Sequence, residues 1–202
     1  MRRCLVTGTD TGVGKTVFCG LWARTLAARG LLVRYVKPVQ TGFPAEDDAS
    51  VVRELSGLGP DRAGVLFTHP EPVAPAFVFD PFPFDQAVDL VNGARDADVV
   101  LVETAGGLLA PLDERRSNAD FVRACGLEVV LVVPNRLGCL NHARLNHAYL
   151  VREGLPLSGL ALNDHFAADP AFAASNREWL DRLLPGTIRY LFDDSGLVEV
   201  GG

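Results

Sequence analysis

Lysine is scarce in this chain, and both lysines sit where anions could be handled. Of the 19 basic residues only Lys15 and Lys37 are lysines; the rest are arginines. Lys15 belongs to the run Gly8-Thr9-Asp10-Thr11-Gly12-Val13-Gly14-Lys15-Thr16. A short apolar stretch, residues 4–6, enters this run, and a helix-prone stretch, residues 17–29, leaves it. Strand, glycine-bearing turn, Gly-Lys-Thr and helix, in that order, describe a phosphate-binding loop. Gly12 and Gly14 permit backbone conformations that a Cβ would block. The N–H groups of Gly12, Val13, Gly14, Lys15, Thr16 and Val17 are then expected to cradle a polyphosphate at a helix N-terminus. Lys15 would reach the β- and γ-phosphates, and the Thr16 hydroxyl would ligate Mg²⁺. One detail departs from the usual spacing: Thr9 stands where the first glycine is expected, and Gly8 comes one residue early.

Lys37 follows the next apolar run, in Tyr35-Val36-Lys37-Pro38-Val39. A compact ammonium suits work that a wide planar guanidinium cannot do. Two groups of acids could hold a metal. Glu103 ends the apolar run Asp98-Val99-Val100-Leu101-Val102, a position from which a carboxylate meets Mg²⁺ directly or through water. Thr104, Ala105, Gly106 and Gly107 follow it, with glycines that let the backbone approach phosphate. Asp47 and Asp48 open a helical stretch, where they serve either as a cap or as a second metal contact; the residues themselves leave open which.

These groups need a scaffold, and the rest of the chain describes one. Apolar runs at residues 4–6, 32–36, 99–102, 129–133 and 160–162 do not alternate, as expected for parallel strands covered on both faces. Helical patterns at residues 17–29, 49–55, 85–94, 118–125, 141–153 and 171–184 lie between and after them. The alternation predicts an α/β fold, a doubly wound, mostly parallel sheet with helices on both faces, and ligands at the carboxyl ends of its strands. Residues 69–84 break the rhythm with Pro70, Pro72, Pro75, Pro81 and Pro83 among phenylalanines. They form a loop that either lines a substrate pocket or packs over the core or another subunit.

A length of 202 residues fits a single domain spanning residues 1–202. A formal charge of −6 argues against nucleic acid as a partner, and no apolar run approaches a membrane span. Met1-Arg2-Arg3 is not followed by a signal peptide's apolar region. Cys4, Cys19, Cys125 and Cys139 show no metal-knuckle spacing and read as buried thiols in a reducing cytoplasm.

The assembled pieces resemble dethiobiotin synthetase over nearly the whole chain. The matching stretches are residues 8–16, Tyr35-Val36-Lys37-Pro38-Val39-Gln40-Thr41-Gly42, Asp47-Asp48-Ala49, residues 102–107, Leu137-Gly138-Cys139-Leu140-Asn141-His142-Ala143 and Leu162-Asn163-Asp164. The resemblance implies an ATP-dependent cyclo-ligase of biotin biosynthesis with a phosphate-loop NTPase-like fold. Its substrates would be 7,8-diaminopelargonate and CO₂ or bicarbonate. One amine is carbamylated, ATP phosphorylates the carbamate, and the second amine displaces phosphate to close a ureido ring. It further implies Lys37 and Lys15 as catalytic residues, and Thr16, Asp48 and Glu103 as Mg²⁺ ligands. Thr11 and Thr41 would bind the diamine. Gly138, Cys139, Leu140 and Asn141 would take the substrate carboxylate across a homodimer interface, although read alone they are an ordinary helix start. Asn163 and Asp164 would contact the base, although read alone they are a turn or cap.

Three departures bear on selectivity. Gly12 stands where relatives carry glutamate, Thr104 replaces a glycine, and Arg189 stands in the place of a proline in the tail. Gly12 would lie near the substrate amines and Thr104 close to the phosphates, while the tail change, with the short tail after Leu191, falls where the base would bind and leaves room for another triphosphate, such as CTP. A different-class alternative is a partition or septum-site switch ATPase. Such proteins carry a second lysine in the loop, where this chain has Asp10.

Overall fold

The computed structural model describes residues 1–200. Its strands are β1 (Arg2–Gly8), β2 (Val33–Thr41), β3 (Ala63–His69), β4 (Val99–Gly107), β5 (Glu128–Pro134), β6 (Leu157–Asn163), β7 (Ile188–Asp193) and β8 (Gly196–Glu199). Its helices are α1 (Lys15–Ala28), α2 (Asp48–Ser56), α3 (Phe84–Gly93), α4 (Asn118–Cys125), α5 (Cys139–Arg152) and α6 (Pro170–Leu183). The strands form one sheet in the order β3-β2-β4-β1-β5-β6-β7-β8, parallel except for the β7–β8 hairpin. All five expected strands and all six expected helical stretches are present.

The pleat divides the core. On β1, Cys4 and Val6 face α1 and α2 while Leu5 faces α3 and α4. On β5, Val130 and Val132 face the first layer, while Leu131 and Val133 pack against α5 and α6. Helices therefore cover both faces, which is why the central strands read as unbroken apolar runs. Helix α1 is clamped to the sheet by aromatic rings: Phe18 and Trp22 meet Tyr190 and Phe192 at centroid distances of 5.0–5.4 Å. The tail is thus part of the α1 layer.

Strands β3, β7 and β8 were not expected from the apolar runs. Each lies toward an edge, and their burial is mixed, so none carries a continuous apolar signal. The proline-rich segment is divided between its two expected roles. Pro72, Val73, Ala74 and Pro75 border the main cavity, Phe82 and Phe84 are buried in the core, and Phe77 is exposed. Rings of Phe67 and Phe79 close edge-on to Phe82 at 5.8 and 5.5 Å. No helix of the described residues is long and apolar enough to cross a membrane. The four cysteines are buried free thiols.

Candidate functional site

Strand order reverses around β1, with β2 and β4 on one side and β5 and β6 on the other. A doubly wound sheet opens a crevice at the carboxyl ends of strands at such a point. Here that crevice is a cavity of about 640 Å³.

The loop after β1 is shaped by its glycines. A Cβ on Gly8 would lie 2.6 Å from the Val13 side chain and 2.8 Å from the Asp10 carbonyl, which accounts for a glycine one place earlier than the usual spacing. Gly14 holds φ of 95° and caps α1 with no side-chain hydrogen bond. A Cβ there would meet the Asn163 amide nitrogen at 2.4 Å. The first turn of α1 carries no acid, so its free N–H groups and dipole face the cavity unopposed. The buried Lys15 ammonium curls back to donate to the Asp10 carbonyl at 3.2 Å. Burial holds its pKa below the usual lysine value, and the Lys37 charge adds to this against the pull of Glu103 and Asp48.

Within hydrogen-bond reach of this loop, Glu103 is fully buried in the middle of β4, which runs on to Gly107 rather than ending at the acid. Its Oε1 accepts from the Thr16 hydroxyl at 2.9 Å and from Lys37 Nζ at 3.1 Å. Its Oε2 accepts from the Tyr35 hydroxyl at 2.8 Å. Lys37 also pairs with Asp48. Burial by itself would lower the Lys37 pKa. The charges of Glu103 and Asp48 and the hydrogen bonds they accept outweigh burial and push its pKa up to about 12. Lys37 therefore keeps its charge at neutral pH.

Which of the paired acids faces the site is a matter of cap geometry. Asp47 is the N-cap of α2, accepting from Ser50 N–H at 3.1 Å, while Asp48 turns toward Lys37 and lines the cavity. Asp47→Ala should lower unfolding free energy by about 1 kcal/mol in urea titration while leaving nucleotide affinity unchanged.

Of the residues singled out in the sequence, Thr11, Gly12, Gly14, Lys15, Thr16, Val17, Lys37, Thr41, Asp48, Glu103, Thr104, Ala105 and Gly106 border this single cavity. A side chain at Gly12 would meet open space, but φ there is 71°. The Thr104 hydroxyl donates to the Gly106 carbonyl at 2.8 Å and shares a hydrogen bond with the Thr7 hydroxyl at 3.1 Å, so it braces its own turn. Val13 is buried; its carbonyl accepts from Asn163 Nδ2 at 3.1 Å, latching the phosphate loop to the end of β6. Asp164 pairs with Arg177 and accepts from Asn135. Asn163 and Asp164 do not border the cavity, and neither do Gly138, Cys139, Leu140 and Asn141 of this chain. Those four lie at the start of α5, where Gly138 caps the helix at φ of 93° with no side-chain hydrogen bond.

Three contributors escaped the sequence reading. Tyr35 lies two residues before Lys37 on one strand, a period-2 spacing that could have placed both side chains on one face. Gln40 Oε1 accepts from Asp48 N–H at 3.2 Å. Asn118 pins the turn after Glu103, donating to the carbonyls of Ala105 at 2.9 Å and Gly107 at 2.8 Å. Asn118 belongs to no stretch singled out in the sequence, and Gln40, inside the stretch 35–42, was given no role there.

A parallel sheet, a glycine-bounded loop opening α1, and a lysine and hydroxyl at its start define a phosphate-loop nucleotide-binding protein. Solved structures agree on the fold. The signal recognition particle receptor FtsY from Elizabethkingia anophelis superposes with a TM-score of 0.60 at 18% identity, covering 99% of this chain and 60% of that one. MinD in the MinC:MinD cell division complex of Aquifex aeolicus gives 0.60 at 13% identity, covering 96% and 82%. A family described as an AAA domain matches residues 2–194.

Sequence relatives are more specific. The ATP-dependent dethiobiotin synthetase of Anaeromyxobacter dehalogenans is 42% identical over 81% of this chain and 77% of its own length. That of Mycobacterium leprae is 37% identical over 90% and 83%, and that of Chlorobaculum tepidum 32% over 96% and 85%. The chain belongs to the dethiobiotin synthetase family.

Proposed function

We propose that this chain closes the ureido ring of dethiobiotin from 7,8-diaminopelargonate and CO₂ at the expense of ATP. The observation that carries the reading is the meeting of Lys15, Lys37, Thr16, Asp48 and Glu103 in one cavity. Phosphorylating a carbamate brings an anion against a polyphosphate. Such a step needs preorganised positive charge in a water-poor site. The α1 N-terminus and Lys15 bind the polyphosphate, and Lys37 stands where the carbamate oxygen meets the terminal phosphoryl group. After transfer, Lys37 steadies the mixed anhydride until the second amine displaces phosphate. Thr41 and Thr11 border the same cavity and bind the diamine chain.

The donor set fits Mg²⁺: a hydroxyl from Thr16 and carboxylates from Asp48 and Glu103 are hard oxygen ligands, two of them already meeting at Lys37 Nζ. Bound there, the ion would neutralise charge on the β- and γ-phosphate oxygens. Residues 138–141 would take the substrate carboxylate of a partner subunit in a homodimer through the N–H groups of Gly138, Leu140 and Asn141, the Cys139 N–H being bonded to the Arg136 carbonyl at 3.0 Å; the exposed Leu137 and Leu145 beside them support this. Asn163, which holds the loop through the Val13 carbonyl, and Asp164 would contact the base. The same reading puts the protein in the cytoplasm, with neither nucleic acid nor membrane as partner. The switch-ATPase reading loses its main support at Asp10, whose carboxylate accepts from Thr11 N–H at 2.7 Å where a second lysine would be required.

Mass spectrometry tests the reaction. Protein incubated with the diamine, bicarbonate, Mg²⁺ and ATP should yield the cyclic urea. A panel of triphosphates, CTP included, reads the base preference. No cyclic urea with any of them would remove the proposed activity.

A further inference from the structure

Tyr35 is buried beneath the reaction site and touches none of the cavity. Its hydroxyl nevertheless donates to Glu103 Oε2 at 2.8 Å, while Glu103 Oε1 accepts from Thr16 and Lys37. The two oxygens of one carboxylate thus face opposite ways, one into protein and one toward the nucleotide loop. We propose that Tyr35 is a positioning residue: its phenol locks Glu103 so that a single oxygen, Oε1, is offered to the metal-nucleotide side of the site. This rests on the reading of Glu103 as a Mg²⁺ ligand.

The geometry supports a device of this kind. Glu103 has no exposed surface, so an unpaired Oε2 could not turn to water for compensation. A carboxylate free to rotate would offer both oxygens in turn, whereas one held by a donor on its far side presents a fixed lone pair. The phenol is a dependable donor. A phenol keeps its proton at neutral pH, so Tyr35 donates and the carboxylate oxygen accepts. Tyr35 and Lys37 are two residues apart on β2, so one strand supplies a donor to each oxygen of the same acid. Register between β2 and β4, with Tyr35 opposite Leu101, sets their reach.

The test compares wild type, Tyr35→Phe and Tyr35→Leu by calorimetric titration with a non-hydrolysable ATP analogue, with and without MgCl₂. Thermal melting of each protein without nucleotide reports the fold. Tyr35→Phe keeps the ring and removes only the donor. It should bind the analogue as wild type does without Mg²⁺, and about 10-fold more weakly with it. Tyr35→Leu should lose the same Mg²⁺ increment and melt lower, from lost packing. A Tyr35→Phe protein that matches wild type in Mg²⁺ would overturn the proposal. So would equal weakening with and without the metal, since that is a damaged phosphate loop. If wild type itself gains nothing from Mg²⁺, the metal reading fails first and this inference falls with it.

Discussion

Lys37→Arg should cut turnover by about 100- to 1,000-fold, the usual cost of removing one preorganised donor from a developing oxyanion, while nucleotide affinity changes little. Charge is conserved in this substitution, so the loss would come from shape. Lys37 Nζ is held between Glu103 Oε1 at 3.1 Å and Asp48, in a space that takes a compact ammonium. A guanidinium is planar, broader and fixed in its donor directions. It would pair with one carboxylate in bidentate fashion and carry its charge away from the point where carbamate and phosphoryl group meet. Steady-state kinetics and a binding titration check this together. Nearly wild-type kcat would remove Lys37 from the chemistry. Lost nucleotide binding would make it a binding residue instead.

Glu103→Gln should be almost as costly, by about 100-fold in kcat, and should blunt the response to Mg²⁺. The substitution preserves volume and the hydrogen bond from Tyr35, but removes the only fully buried carboxylate in the cluster. Two effects coincide. A neutral amide is a poor ligand for a hard divalent ion. Lys37 also loses the largest of the forces that offset its burial, so its pKa falls from about 12. Kinetics across a Mg²⁺ series tests the first effect. The second is read from the Lys37 amine by NMR, in a chain with only one other lysine. A variant with normal Mg²⁺ dependence would exclude Glu103 as a ligand.

The site was legible where chemistry constrains spacing. Lys15 and Thr16 belong to a motif whose glycines supply the backbone conformations its turn requires, and Glu103 announces itself as an acid at the end of an apolar run. Lys37 stood out because arginine is used at nearly every other basic position. Central strands were legible for a related reason, since covering both faces removes polar residues from them. Edge elements lacked that pressure. Strand β3 is only half-buried, and β7 alternates, so neither formed a continuous run. Tyr35, Gln40 and Asn118 act through hydrogen bonds set by register between distant segments, which local patterning cannot report. Between Asp47 and Asp48 the residues alone left the choice open and the family resemblance took Asp48; the cap gives the physical reason, since Asp47 is spent on Ser50.

In the proposed reaction two ammonium groups serve transfer of a phosphoryl group to a carbamate, and phosphate release by the purified protein, followed with and without the diamine and bicarbonate, reports that transfer. Release should require both, in step with cyclic urea formed. Steady release from ATP and Mg²⁺ alone, indifferent to the diamine, would contradict the account and favour a switch ATPase.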